Sequence, residues 1–143
     1  MKVLEQVKTA RIALIGIGTL IIDSSIIKYY SLPYQVLESL VKQRDGIGEI
    51  KGYAINNRGD ECIPEITRRV VTISLEDFKK IPVRIGASLG AIKAPAIAAA
   101  IRGNFFSTLI IEEIAANEVA TILESNPNVK SLGLNYLVVA EAK

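Results

Sequence analysis

Between residues 83 and 123 the chain alternates twice between a short apolar run and a longer helical one, and few folds accommodate that rhythm. Val83 to Ser88 reads as a strand, Ala91 to Arg102 as an alanine-rich helix, Phe105 to Ile111 as a strand and Glu112 to Leu123 as a helix. The order is the same near the amino terminus. There, Val3, Leu4 and Val7 stand at helical spacing, and Arg11 to Ile17 is an apolar run with the look of a buried strand, closing in Gly16-Ile17-Gly18. Strands separated by helices do not form tight hairpins; they pair in parallel and the helices pack on the sheet faces. The class is therefore predicted to be α/β with a parallel sheet, in which a ligand lies beyond the carboxyl ends of the strands.

The intervening segments read less uniformly. Pro33 is placed as the first helical residue of Pro33 to Gln43, whose Val36, Leu37, Leu40 and Val41 make one apolar stripe. Gly46 to Pro64 is predicted as a β-excursion or hairpin, with turn chemistry at Asn56-Asn57-Arg58-Gly59-Asp60. Arg69 to Ile73 is strand-like. Ser74 followed by Asp77 resembles a capping box that opens a short helix through Lys80, stopped by Pro82. After Asn126-Pro127-Asn128, the run Tyr136 to Ala140 is open to two readings, a last strand or a helical turn. No repeat or linker divides the chain, so 1–143 is read as one domain, long enough and apolar enough at 50% for a single core.

Composition restricts the chemistry. There is no histidine, which removes the usual general acid/base at neutral pH and the commonest metal ligand, so neither catalysis nor a metal or cofactor is expected. Cys62 is the single cysteine, which rules out an intrachain disulfide and thiol-based zinc cages and fits a reducing compartment. With 17 basic and 15 acidic residues the net charge is +2, too weak a field to hold DNA by phosphate neutralisation. No segment reaches the roughly 20 uninterrupted apolar residues of a membrane span, and no signal-peptide pattern is present, so the expected location is the cytoplasm.

Three stretches, taken in order and spacing, carry a family likeness. They are Ala13-Leu14-Ile15-Gly16-Ile17-Gly18 with Asp23-Ser24-Ser25; Gly46-Ile47-Gly48-Glu49-Ile50-Lys51-Gly52-Tyr53 with Asn57-Arg58-Gly59; and Thr72-Ile73-Ser74-Leu75-Glu76-Asp77, Ile81-Pro82, Gly86, Gly90, Lys93-Ala94, Ala96-Ile97 and Arg102-Gly103. Together they resemble the carboxy-terminal half of the sugar-binding effector domain of SorC-type (SorC/DeoR-like) bacterial transcription regulators. The likeness spans Val3 to Leu123 and leaves the 124–143 tail uncovered. It implies a partial three-layer domain of the sugar-phosphate isomerase, glucosamine-phosphate deaminase and coenzyme A transferase kind. It further implies a sugar or sugar-phosphate effector, and contact with DNA only through a DNA-binding region that has no counterpart here. A homo-oligomer is expected, a dimer by preference, whose second copy replaces the absent half. The chain departs from the family pattern where Glu49 replaces the more frequent Asp, and where Leu89, Ala91 and Ile92 make the loop bulkier and more apolar.

Each candidate ligand residue has a plainer reading beside it. Gly86, Gly90 and Lys93 fit an anion cradle at a helix start, or a tight turn followed by a solvated lysine. Gly16 and Gly18 permit close approach of a ligand, or merely a turn. Asp23 is a sugar-hydroxyl acceptor or a helix cap. Glu49 and the pair Glu112-Glu113 are hydroxyl acceptors or solvated carboxylates. Two other functions stay in competition with effector binding: an isomerase or deaminase of the same fold, opposed by the missing histidine and by Thr19-Leu20-Ile21 where a deaminase carries Asp-Gly-His, and a purely structural self-associating role.

Overall fold

The computed structural model describes residues 2–20 and 33–125 together with the backbone of 136–140; Asp23 and its neighbours lie outside the described residues. In chain order the elements are α1 (Lys2–Lys8), β1 (Ile12–Gly16), β2 (Gly18–Thr19), α2 (Tyr34–Arg44), β3 (Gly46–Ile50), β4 (Tyr53–Asn56), α3 (Pro64–Thr67), α4 (Leu75–Lys79), β5 (Val83–Ser88), a 3-10 turn (Ala91–Lys93), α5 (Ala94–Arg102), β6 (Thr108–Glu112), α6 (Glu113–Glu124) and β7 (Tyr136–Ala140).

The strand–helix alternation produces a four-stranded sheet in the order β1-β5-β6-β7, parallel throughout, with α5 and α6 as its successive crossovers. The α/β class with a parallel sheet is thus borne out. The tail resolves as a strand, with Tyr136 to Ala140 pairing beside β6. A second, antiparallel sheet, β2-β3-β4, stands apart from the first.

Helix α5 joins the two sheets. Ala94, Ala96, Ile97, Ala98, Ala99, Ala100 and Ile101 are all buried, so this helix is covered on nearly every side. Its alanines let backbones approach closely: a Cβ on Gly48 of β3 would stand 2.7 Å from the Ala96 Cβ. Phe78, Ile81, Phe105, Phe106, Leu109 and Ile111 complete the main core around Ile97, while Leu20, Leu37, Cys62, Ile63 and Ile66 form a smaller cluster beneath α2.

Several boundaries differ from the sequence expectation. The helix at Pro33 begins at Tyr34 with Pro33 as its cap, Ala91 to Lys93 winds as a 3-10 turn before α5, and the strand expected from Phe105 starts at Thr108. Arg69 to Ile73 forms no strand; the Ile73 carbonyl accepts from side chains, Lys51 Nζ at 3.0 Å and Tyr53 Oη at 3.2 Å. The capping expectation holds at Ser74, whose Oγ accepts from the Asp77 N–H at 3.0 Å. The hairpin reverses at Lys51-Gly52, with φ of 56° and 85°, the left-handed pair that matches strand twist. The Asn56 to Asp60 turn forms after β4.

The largest correction concerns β1. Among the described residues it is an edge strand with one face covered: Ala13 and Ile15 pack on the core, whereas Ile12 and Leu14 are 63% and 70% exposed. In the parallel registers Ile12 pairs with Val83, Leu14 with Ile85 and Ala87 with Ile110, so these residues share one sheet face. Ile12, Leu14, Val83 and Ile110 are exposed on it, opposite the core face that holds Leu109 and Ile111.

Candidate functional site

Where β1 ends, the chain crosses from the large sheet to the small one, and the crossing creates a concavity. Ser88 Oγ at the end of β5 reaches the Ile17 carbonyl at 3.5 Å, bringing the two strand ends together. An open cavity of about 380 Å³ lies there, lined by Ile15, Gly16, Ile17, Gly18, Glu49, Lys51 and Lys93. It occupies the position that an open α/β sheet reserves for ligands, beyond the carboxyl ends of its strands.

Glu49 is the acceptor of the cavity. The β2–β3 register sets it opposite Gly18, where an added Cβ would stand 2.8 Å from Glu49 Oε2, so only glycine leaves the carboxylate its place. Its Oε1 accepts the Gly52 N–H across the hairpin turn. Burial pushes the Glu49 carboxyl above its ordinary range, and that N–H partly opposes the shift.

Two lysines line the cavity with Glu49. Lys93, at the end of the 3-10 turn, is half-buried and makes no ion pair among the described residues. Lys51 stands at the hairpin turn, with Nζ 3.0 Å from the Ile73 carbonyl, 5.0 Å from the Phe78 ring centre and 5.8 Å from that of Tyr53. Burial lowers its pKa to about 8. Lys51 was not among the residues singled out from sequence. Its signal was available in Lys51-Gly52 between two β-like runs, but the richer turn chemistry five residues later drew the turn assignment away.

Four of the sequence candidates thus converge: Gly16, Gly18, Glu49 and Lys93. Two do not line the cavity. Gly86 lies within β5, and its Cβ position is 2.9 Å from the Phe106 ring, which makes it a packing glycine on the covered face. Gly90 adopts φ 98° and donates its N–H to Glu112 Oε1 at 2.7 Å, so the chain's own carboxylate occupies the place an external anion would take there. Leu89 and Ile92 beside it are each 68% exposed.

The set can accept hydrogen bonds from hydroxyls and hold negative charge. Cys62 lies in the other cluster, and burial raises its thiol pKa to about 11, which keeps it inert. Among the described residues no group of His, Cys, Asp or Glu is arranged to hold a metal ion, and no helix is long and apolar enough to cross a membrane. A larger cavity of about 650 Å³ opens elsewhere, between Val41, Gly46, Pro95 and Ile122, but its Lys42 is paired with Glu38.

Comparison with known proteins gives this geometry a context. Residues 1–121 match the family described as "Putative sugar-binding domain". The transcriptional regulator LsrR of Escherichia coli O139:H28 is 35% identical over 83 residues, which make up 57% of this chain and 25% of that protein. A DeoR family transcriptional regulator from Listeria monocytogenes superposes with a TM-score of 0.75 at 26% identity, covering 82% of this chain and 47% of the other. The full-length sorbitol operon regulator SorC from Klebsiella pneumoniae has the same fold, with a TM-score of 0.69 at 20% identity over 85% of this chain and 38% of that one. The matched part is thus about a quarter of the curated relative and less than half of either solved chain.

Proposed function

Because the chain belongs to the sugar-binding domain family of transcriptional regulators, matching it over residues 1–121, we propose that it is the effector-binding module of a bacterial regulator that holds a sugar or sugar phosphate without transforming it. The observation that carries this reading is the convergence of Glu49 and Lys93 on a glycine-walled cavity at the strand ends. A carboxylate and an ammonium are the usual polar partners of sugar hydroxyls and phosphates, and the glycines leave room for a polar ring to approach the backbone. The near-neutral charge of the chain supports assigning DNA contact to a separate region of a longer regulator, working in the cytoplasm.

The apolar sheet face formed by Ile12, Leu14, Val83 and Ile110 favours one addition to this reading. A parallel sheet is ordinarily covered on both faces. We assign the open face to a second copy of the chain, in an isologous dimer that uses the same patch twice.

The test of effector binding is a melting series with neutral sugars and their phosphate esters at millimolar concentration. A ligand that binds only the folded form at about 100 times its Kd stabilises it by about 2.7 kcal/mol. The expected result is a rise in Tm that Glu49→Gln and Lys93→Met diminish. No rise with any sugar would sink the proposal, and release of ammonia or an isomerised product, lost in Lys93→Ala, would move the assignment to an enzyme.

A further inference from the structure

We propose that Glu112 is a positioning residue for the strand-end site: its carboxylate holds the turn that carries Lys93 to the cavity, and it acts on a ligand only through that lysine. The proposal rests on the effector-binding reading for what Lys93 meets, and on the geometry of the turn for the rest.

Glu112 stands where a side chain usually serves its own helix. It is the last residue of β6 and the cap of α6. A cap side chain typically accepts an N–H from the first turn that follows it, and Ser, Thr, Asp and Asn do so best. Glu112 makes no such bond to α6. Its side chain crosses to the neighbouring strand end, where Oε1 accepts the Gly90 N–H at 2.7 Å. The parallel register accounts for the reach: Ser88 of β5 pairs with Ile111 of β6, so the chain leaving β5 starts its turn beside Glu112.

The bond reaches Lys93 through Gly90. With φ 98° and ψ 122°, Gly90 opens the 3-10 turn Ala91–Lys93, and its carbonyl accepts the Lys93 N–H at 3.0 Å. One glycine is thus held on its N–H side by Glu112 and holds Lys93 on its carbonyl side. The large apolar side chains of this stretch do little to fix it, since Leu89 and Ile92 are each 68% exposed. A carboxylate acceptor at 2.7 Å is a stronger tether, because hydrogen bonds to such a group are shorter and roughly twice as strong as neutral ones. Lys93 lines the cavity, and Glu112 is not among the residues that do. Of the two readings its sequence left open, hydroxyl acceptor or solvated carboxylate, Glu112 takes neither: it is a fixed part of the scaffold behind the site.

The experiment compares the full chain with Glu112→Ser, Glu112→Gln and Lys93→Met. Serine is a good cap for α6 but too short to reach Gly90, whereas glutamine keeps both the length and an acceptor oxygen. Amide hydrogen exchange is read first, without ligand. Glu112→Ser is expected to speed exchange of the Gly90 and Lys93 N–H groups roughly tenfold or more while the amides within α5 stay protected, and Glu112→Gln to restore most of the protection. Binding of glucose 6-phosphate, the probe, is then measured by calorimetry. Glu112→Ser should weaken it, by no more than Lys93→Met does, and Glu112→Gln should recover it. Glu112→Ser combined with Lys93→Met should bind as Lys93→Met alone, since a residue that acts through Lys93 then has nothing left to act on. Additive losses in the double variant overturn the proposal, as does exchange at Gly90 and Lys93 that ignores Glu112→Ser. A probe that binds Lys93→Met as tightly as the wild type also overturns it. Faster exchange at both amides in Glu112→Ser, with no probe bound by the wild type, supports the tether and counts against the effector reading, so the two fail separately. Circular dichroism of each variant separates loss of binding from loss of fold.

Discussion

Leu14→Lys is the substitution that most directly tests what covers the open sheet face. Leu14 is 70% exposed, on the face it shares with Ile12, Val83 and Ile110, so in the isolated chain it contributes little to stability. A second copy would bury that remaining surface. Full burial of a leucine contributes about 1.5–3 kcal/mol, so the exposed fraction is worth about 1–2 kcal/mol per copy. An isologous contact counts each residue twice, giving about 2–4 kcal/mol for the dimer. That corresponds to a dimer Kd weakened by roughly 30-fold to 1,000-fold, before any repulsion between the two introduced lysines. Sedimentation equilibrium over a wide concentration range measures it directly. Chemical denaturation at the lowest concentration should show the monomer unchanged to within about 0.5 kcal/mol, since the site is on the surface. A wild-type chain that remains a monomer at every concentration, or a dimer whose Kd ignores the lysine, refutes the assignment of this face. A variant that loses stability even when dilute refutes the premise that Leu14 is free in the monomer.

Two further outcomes follow from the site. Gly48→Val should destabilise the chain by about 1–3 kcal/mol or more in urea melts, because its Cβ would stand 2.7 Å from the Ala96 Cβ and 3.2 Å from the Gly18 carbonyl; Gly16→Ala, with nothing within 4 Å of its Cβ, should leave stability within about 0.5 kcal/mol. Glu49 has a folded pKa raised above the ordinary 4.5, so between those values the folded state keeps a proton that the unfolded state has lost, and stability declines as pH rises through that window; Glu49→Gln should flatten this slope in denaturation series from pH 4 upward, and an unaltered slope would contradict the burial of this carboxyl.

The stretch from Val83 to Glu124 was legible because both of its signals are local. Strand and helix periods are written in the residues themselves, and the bounds of β5 fell where the apolar run placed them. What misled was information that depends on partners. Arg11 to Ile17 is apolar enough for a central strand, yet nothing in its own residues says that β1 lies at the sheet edge with one face open. Arg69 to Ile73 has strand propensity, but propensity cannot supply a ladder, and the Ile73 carbonyl is satisfied by two side chains about twenty residues away. The candidate site divides in the same way. Gly16, Gly18, Glu49 and Lys93 were found as strand-end and turn residues, and the Gly18–Glu49 register then brought them to one cavity. Gly86 carried the same local signature, but a glycine flattened by the Phe106 ring reads in sequence like one that faces a ligand. Lys51 needed the hairpin geometry, since it sits in the left-handed turn, its ammonium lies over Tyr53 and Phe78, and the residue lines the cavity. In this chain, then, sequence period determines which strands and helices exist, while sheet register and turn handedness decide which of their polar residues meet a ligand.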